Sequence, residues 1–143
     1  MSSKNIIKNN SLILFLLLVA STLRLYNLFD LQYTYDELSA VDRLRFDSFG
    51  ELIRQGVMID AHPALIQVWM YYYSLIFGTT EWLMKLPFIF MGIASVYLIY
   101  VVGKRWFNES TGLLAATILT CAQYFVFYSV TARPYVSGLF LCL

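Results

Sequence analysis

The chain alternates between long apolar stretches and short polar loops, and the apolar stretches predict helices. Four of them cover residues 12–29, 63–78, 86–103 and 111–131, and another begins at residue 138. A helix needs roughly 20 residues, and no fewer than about 17, to cross the hydrocarbon core of a bilayer. The second stretch is too short for this. We therefore expect three membrane spans and the start of a fourth.

The short stretch at 63–78 is predicted to lie along the membrane surface. It contains Trp69 and three consecutive tyrosines at residues 71–73. Aromatic side chains with a polar edge favour the headgroup level of a bilayer. Further surface helices are expected over residues 37–55, where apolar residues recur at helical spacing between charged ones. A break is expected near Asp47, because Ser48 followed by Glu51 fits a capping box that would start a second short helix over residues 49–55. All these helices belong to one long loop, residues 30–85.

The positions of Lys and Arg indicate which loops face the cytoplasm. Short cytoplasmic loops are enriched in basic residues. The basic residues before the first span and after the second are Lys4, Lys8, Lys104 and Arg105. Three crossings place all of these on the cytoplasmic side and leave residues 30–85 and 132–137 outside. If the surface stretch also crossed, the two basic groups would be separated by the bilayer, so we expect an all-α, polytopic membrane protein with three crossings.

Composition agrees with a membrane protein and excludes other classes. Hydrophobic residues make up 59% of the chain, charged residues 13%, and the mean hydropathy is +0.65, which is more apolar than a soluble domain. The net charge is +1 and the basic residues are scattered, so we expect no nucleic-acid partner. Cys121 and Cys142 lie in apolar stretches, where they are expected to act as small hydrophobic side chains.

Ionisable residues of the predicted outer face concentrate at a few positions, which are Arg24, Asp36, Glu37, Asp60, His62 and Arg133. Charged groups at membrane level are costly and usually functional. In the adjacent pair Asp36 and Glu37, one carboxylate could take a proton from an acceptor hydroxyl while the other assists it or binds a divalent cation. The simpler alternative is a pair of solvated acids at the start of the surface helix, where negative charge is favourable.

The basic residues of this set are candidates for binding a phosphate. His62 precedes Pro63, which suits the first turn of a helix, and helix N-termini attract phosphate; the alternative is an ordinary turn residue. Arg24 lies near the end of its span, where its head either binds phosphate or extends to the interface. Arg133 suits bidentate binding of a phosphate or of the acidic residues. Lys85, just before the third apolar stretch, is predicted to be only an interfacial anchor.

A family resemblance rests on segments spread along the chain, which are RLYNL, YDE, AHPALIQVWMYYYSLIFG, EWLMKLPFIFMGIASVYLIYVVGKRWF and FYSVTARPYVSGL. In this order and spacing they resemble the membrane glycosyltransferases of the C-type (GT-C) fold. The resemblance is greatest to the dolichyl-phosphate-mannose protein mannosyltransferase and aminoarabinose transferase group. It implies that residues 1–143 are the N-terminal part of a GT-C transmembrane domain, with juxtamembrane helices in the first outer loop.

The resemblance also implies roles for the candidate residues. Asp36, with Glu37 beside it, matches the acidic catalytic position of the first outer loop, so we expect Asp36 to be the base and Glu37 to assist. The implied donor is a sugar linked to a polyprenyl phosphate. Its phosphate would be bound by Arg24, His62 and Arg133. Some relatives carry an acidic residue shortly after this arginine and this chain does not, which leaves open whether Asp36 and Glu37 hold a divalent metal ion.

We therefore expect a glycosyltransferase of the hexosyltransferase type that moves a sugar from this donor to a hydroxyl of a protein, lipid or glycan acceptor. Its expected place is the bacterial plasma membrane, among membrane lipids, with the active site facing outward. Two alternatives stay open, a transporter or flippase of a lipid-linked substrate and a non-catalytic membrane subunit. Because the chain stops within an apolar stretch without a cap, we expect a longer protein, of which this part is inactive alone.

Overall fold

The computed structural model describes the backbone of residues 3–60 and 62–143, and the side chains of residues 11–60 and 62–143. Within these ranges every regular element is helical, which confirms the predicted all-α class. The α-helices are α1 (Ser3–Leu25), α2 (Tyr35–Asp42), α3 (Phe49–Glu51), α4 (Ala64–Phe77), α5 (Glu81–Trp106), α6 (Glu109–Cys121), α7 (Gln123–Ser129) and α8 (Pro134–Cys142). A 3₁₀ turn (Leu28–Asp30) follows α1, and a π-helix (Leu52–Val57) continues α3.

Membrane spans are limited to a few helices of this set. Among the described residues, the segment Ser11–Asp30 and helix α5 are long and apolar enough to cross alone. A third span results if α6 and α7 are one broken span, bent by 64° at the break. Helix α4 is apolar but only 14 residues long. Which loops face outward stays a prediction, and the side chains of Lys4 and Lys8, on which it partly depends, lie outside the described residues.

Helix α5 begins at Glu81, earlier than the apolar pattern predicted, and continues through Pro87. A proline inside a helix removes the N–H that would bond the carbonyl four residues earlier. That carbonyl belongs to Leu83, and the hydroxyl of Tyr73 donates a hydrogen bond to it at 3.2 Å. The contact joins α4 to α5. The early start also puts Lys85 inside the helix instead of before it.

The helices α5 and α6 form a tight hairpin. Asn108 caps α6 because its side-chain oxygen accepts the N–H of Thr111 at 2.9 Å. Beyond the turn the two backbones approach closely at Gly103 and Gly112. A Cβ atom on Gly103 would lie 2.8 Å from the Cα of Gly112, closer than real Cβ contacts allow. Both positions therefore require glycine for this packing.

The loop between α1 and α5 folds back onto α5 and α8. Residues 37–55 contain the predicted break between two helices, α2 and α3: the Ser48 hydroxyl oxygen accepts the N–H of Glu51 and starts the second helix. The loop helices share a buried apolar core with α5 and with the region around α8. This core contains Ala40, Leu44, Leu52, Ile66, Met70, Tyr71, Met84, Phe88, Ala132 and Val136. The core fixes α2 next to the segment that precedes α8.

Candidate functional site

The acidic pair Asp36 and Glu37 lies in the first turn of α2, which a capping box starts. The Thr34 hydroxyl oxygen accepts the N–H of Glu37 at 3.3 Å, and the Glu37 carboxylate accepts the N–H of Thr34 at 2.9 Å. Successive helical residues point about 100° apart, so the two carboxylates face different surroundings. Glu37 is completely buried, whereas 43% of the Asp36 side chain is exposed.

Glu37 joins segments from three parts of the chain. Its Oε2 accepts a hydrogen bond from Lys85 Nζ at 3.0 Å, and its Oε1 accepts the backbone N–H of Ala132 at 2.6 Å. Lys85 is buried, so its predicted role as an interfacial anchor is wrong; the early start of α5 turns it towards a carboxylate instead. Because Glu37 holds Ala132, their chain neighbours Asp36 and Arg133 also come together.

Asp36 and Arg133 form a bidentate ion pair between residues 97 positions apart. Arg133 Nε donates to Asp36 Oδ2 at 2.9 Å, and Nη2 donates to Oδ1 at 2.7 Å. The Tyr135 hydroxyl donates a further hydrogen bond to Oδ2 at 3.1 Å. The Arg133 side chain is 3% exposed. The result is an accessible carboxylate held by a buried guanidinium, the geometry in which Arg binds oxyanions most specifically.

His62 and Asp60 complete the cluster on the other side of Arg133. Asp60 Oδ1 lies 2.9 Å from His62 Nδ1, and its Oδ2 contacts Arg43 and lies 3.6 Å from Arg133 Nη1. His62 Nδ1 is also 2.9 Å from Arg133 Nη2. The predicted residues Asp36, His62 and Arg133 therefore meet in one place, and two residues from the loop, Arg43 and Asp60, join them there.

The surroundings of Asp36 and Asp60 favour the charged carboxylates. Burial alone would raise the pKa of Asp36, but the hydrogen bonds and charge of Arg133, with help from the hydrogen bond of Tyr135, hold it below the ordinary value of 3.8. For Asp60, burial is likewise outweighed by the hydrogen bond to His62 and by the charges of Arg43 and Arg133, so its pKa is also lowered. Both groups are ionised at neutral pH.

Arg24 lies away from this cluster, near the end of α1, and is 1% exposed. Its guanidinium donates to Ser129 Oγ at 3.1 Å and to the carbonyls of Ala20 and Leu119 at 3.3 and 3.0 Å. The Leu119 carbonyl belongs to the last turn of α6, where the break leaves carbonyls without helical partners. A Cβ atom on Gly92 would lie 2.7 Å from Ser129 Cβ. The glycine therefore leaves room for the bond between α1 and α7.

A cavity of about 180 Å³ adjoins Arg24 beside the bent α6–α7 pair. Its walls are largely aromatic and include Tyr124, Phe125 and Tyr128. Tyr135 also lines it, and the hydroxyl of this residue bonds Asp36. Tyr135 therefore connects the cavity to the carboxylate–arginine cluster, which Arg24 does not contact directly.

The acidic residues do not fit a divalent metal site as they are arranged. Across the described ranges, no group of three or more His, Cys, Asp or Glu side chains is close enough to hold a metal ion. Divalent cations take several oxygen ligands. The carboxylates of Asp36 and Asp60 face arginines, and both oxygens of Glu37 accept hydrogen bonds from protein groups.

The sequence placed Asp60 with these residues at the predicted outer face, two residues before His62 in DAHP, but indicated no role for it. Arg43 and Lys85 were not predicted to belong to the site. Lys85 had a usable signal, because Thr80 followed by Glu81 is typical of a helix start and would have placed Lys85 inside a helix. Arg43 lies among other charged residues of the loop, and its contact with Asp60 depends on the fold of that loop alone.

Comparison with known proteins identifies the family. Residues 61–143, more than half of the chain, match the family model described as dolichyl-phosphate-mannose-protein mannosyltransferase. The matched region includes His62 and Arg133, while Asp36 precedes it. No curated protein and no solved structure gives a significant match to the chain. The chain belongs to the dolichyl-phosphate-mannose-protein mannosyltransferase family, which makes it a membrane glycosyltransferase of the mannosyltransferase type.

Proposed function

We propose that this protein transfers a sugar from a polyprenyl-phosphate-linked donor to an acceptor hydroxyl at the outer face of the membrane. The observation that carries the proposal is the pairing of the half-exposed Asp36 carboxylate with the buried Arg133 guanidinium. Transfer from such a donor needs a group that accepts a proton and a cation that stabilises the departing phosphate. Asp36 and Arg133 supply one of each, in contact, beside apolar helices.

Asp36 is the general base of this reaction. The acceptor oxygen attacks C1 of the sugar, and the bond between C1 and the phosphate oxygen breaks. The acceptor proton passes to the Asp36 carboxylate, and the polyprenyl phosphate leaves with the electron pair of the broken bond. The lowered pKa of Asp36 supports this role because it keeps the carboxylate unprotonated before the acceptor arrives.

Arg133 exchanges its partner during the reaction. While Arg133 is bonded to Asp36, its positive charge makes the carboxylate a weak base. A donor phosphate that draws the guanidinium towards itself removes this charge and so increases the proton affinity of Asp36. The same movement brings a bidentate donor to the phosphate. Donor binding and activation of the base are coupled in this way.

The remaining predicted residues support the donor and the base. His62, whose Nδ1 lies 2.9 Å from Arg133 Nη2, supports the phosphate site indirectly, because it contacts the guanidinium that binds the phosphate. Arg24 binds the same headgroup from the membrane side, through the cavity that Tyr135 connects to Asp36. Glu37 assists by position, since its bond to the N–H of Ala132 holds the two chain segments of the ion pair together.

The base is tested with Asp36→Asn in the full-length protein. Sugar transfer from a labelled polyprenyl-phosphate donor should fall by about 100-fold to 10,000-fold, the range typical of a lost general base. Asp42→Asn is the matched control because Asp42 also pairs with an arginine, Arg45, at 3.1 Å, but at an exposed position. Normal turnover by Asp36→Asn at normal abundance contradicts the assignment.

The outward orientation is tested with single cysteines after both native cysteines are replaced by serine. Asp47→Cys lies in the loop between α1 and α5, and Ser110→Cys lies in the first turn of α6, next to the α5–α6 connection; both positions are exposed. A membrane-impermeant maleimide added to intact cells should label the first and not the second. Labelling of Ser110→Cys from outside would exclude the proposed topology.

A further inference from the structure

Asp60 contacts three side chains around the Asp36–Arg133 pair but is poorly accessible itself. It approaches His62 through Oδ1 and both Arg43 and Arg133 through Oδ2. Its side chain is 7% exposed, compared with 43% for Asp36. A carboxylate that is buried among cations and a histidine is better placed to hold these groups than to react with substrate.

The first consequence concerns the proton on the His62 ring. Nδ1 lies 2.9 Å from Asp60 Oδ1, which only accepts hydrogen bonds, and 2.9 Å from Arg133 Nη2, which only donates them. One ring nitrogen cannot donate to the first and accept from the second at the same time. Arg133 Nη2 already has an acceptor, because it donates to Asp36. Asp60 Oδ1, in contrast, needs a donor, so the proton of the His62 ring lies on Nδ1 and is bonded to Asp60. Nε2 then carries a lone pair and lies 3.4 Å from Arg133 Nη2.

The second consequence concerns the charge of Arg133. Positive and negative groups alternate along the cluster in the order Arg43, Asp60, Arg133, Asp36. A buried guanidinium that loses its only carboxylate is strongly disfavoured. Asp60 provides a second carboxylate that is not exposed to substrate. Arg133 can therefore exchange Asp36 for a phosphate while the carboxylate of Asp60 still lies next to its positive charge.

We propose that Asp60 is a positioning residue that fixes His62 with its proton on Nδ1 and keeps Arg133 in place when its bond to Asp36 is exchanged for the donor phosphate. The role in the exchange rests on the proposed function. The control of the His62 ring does not, because it depends only on the contact between Asp60 and His62. The two parts therefore have separate measurements.

The His62 ring is examined by nitrogen-15 NMR of the full-length protein in bilayers, with the signals assigned by their loss in His62→Gln. The wild type should show a protonated Nδ1 and an unprotonated Nε2. Asp60→Asn should shift the proton to Nε2, at least in part, because the carboxylate acceptor is gone. Asp42→Asn removes an exposed carboxylate and should leave the ring signals unchanged.

Arg133 is examined through the kinetics of transfer from a labelled polyprenyl-phosphate-linked mannose. Asp60→Asn should raise the donor KM about tenfold, as for the loss of one charge-assisted contact, and change kcat less. Asp60→Glu keeps the carboxylate and should restore most of the affinity. A residue that only stabilised the fold would lower the amount of active protein and leave KM unchanged.

Either of two results overturns the proposal, namely His62 ring signals that are the same in Asp60→Asn and wild type, or a donor KM no higher than in Asp42→Asn. If Asp60→Asn does not accumulate, Asp60→Glu decides by the same measurements: a protonated Nδ1 with near wild-type KM supports the proposal, and an Nε2-protonated ring contradicts it. If the wild type transfers nothing from the polyprenyl donor, the proposed function fails, while the ring signals still decide the contact between Asp60 and His62.

Discussion

Two consecutive carboxylates, Asp36 and Glu37, each pair with a cation, and the two pairs differ in exposure. In the pair of Glu37 with Lys85 both side chains are at most 3% exposed. In the pair of Asp36 with Arg133 the cation is equally buried, but the carboxylate is 43% exposed. The first pair can only hold segments together, whereas the carboxylate of the second is open to an outside partner. One helical step between neighbouring residues separates a structural acid from an accessible one.

The buried pair is expensive to form and more expensive to break. Removing two charges from water costs several kcal/mol per ion, and good geometry with additional hydrogen bonds offsets this cost only in part. Glu37 meets the geometric condition, since it also accepts hydrogen bonds from Thr34 and from the N–H of Ala132. The value of the pair therefore lies in the position that it imposes on the neighbouring Asp36 and Arg133.

The largest effect on folding is expected from Lys85→Met. It leaves Glu37 buried without its cation and should lower the free energy of unfolding by about 3–5 kcal/mol. The control is Lys104→Met, whose pair with Glu109 is more exposed and should contribute much less to stability. Unfolding in detergent or bicelles measures both. Adding Glu37→Gln to Lys85→Met should recover part of the loss. If Lys85→Met and Lys104→Met lowered the free energy of unfolding equally, a structural role for the buried pair would be contradicted.

A loss of activity with a small loss of stability is expected from Arg133→Lys. Lysine keeps the charge but cannot form the two parallel hydrogen bonds that Arg133 makes with Asp36. We expect kcat/KM for the polyprenyl-phosphate donor to fall by roughly 10-fold to 100-fold, since each 1.4 kcal/mol of lost transition-state stabilisation is a factor of ten. Steady-state transfer rates measure this change. Unaltered kcat/KM would show that bidentate binding has no part in donor recognition.

A smaller effect is expected from acid. The pKa values of Asp36 and Asp60 are lower in the folded protein than their ordinary value of 3.8. Their contribution to stability is therefore complete above about pH 4 and is lost as the pH falls through the folded-state pKa values. Unfolding free energy measured against pH should decline in this acid range. The free energy of unfolding should decline less steeply with falling pH in Asp60→Asn than in Asp42→Asn. Equal slopes in the two variants would contradict the lowered pKa of Asp60.

The smallest effect is expected from metal removal. The sequence left open a divalent ion on Asp36 and Glu37, but their carboxylates are paired with Arg133 and Lys85. Treatment with a chelator should therefore change sugar transfer by less than about twofold, which is below 0.5 kcal/mol. A large loss that added Mg²⁺ or Mn²⁺ reverses would instead make the exposed Asp36 a metal ligand.

Part of the candidate site could be predicted from the sequence for a definite physical reason. Asp36, His62 and Arg133 are ionisable residues next to apolar stretches, and such groups stand out against the 13% of charged residues in the whole chain. The inward turn of Glu37 could not be predicted in the same way. Its role depends on a lysine 48 positions away and on a backbone N–H 95 positions away.

The fold shows the same division between local and distant information. Hydropathy predicted helices at all the main apolar stretches, because burying apolar side chains in lipid is a local property of each stretch. It did not show the 64° bend between α6 and α7. At that bend Arg24 donates to the Leu119 carbonyl and to Ser129, contacts that bring together residues more than 90 positions apart.

By itself, the sequence determined that this protein is helical, lies in a membrane, and carries acidic and basic residues beside its apolar stretches, because composition and periodicity follow from each segment alone. Only the tertiary structure decided which carboxylate is buried and which is accessible. That choice depends on where Lys85, Ala132 and Arg133 lie relative to the first turn of α2. Their positions are set by the packing of α5 and α8 against the loop, which no local pattern in the chain records.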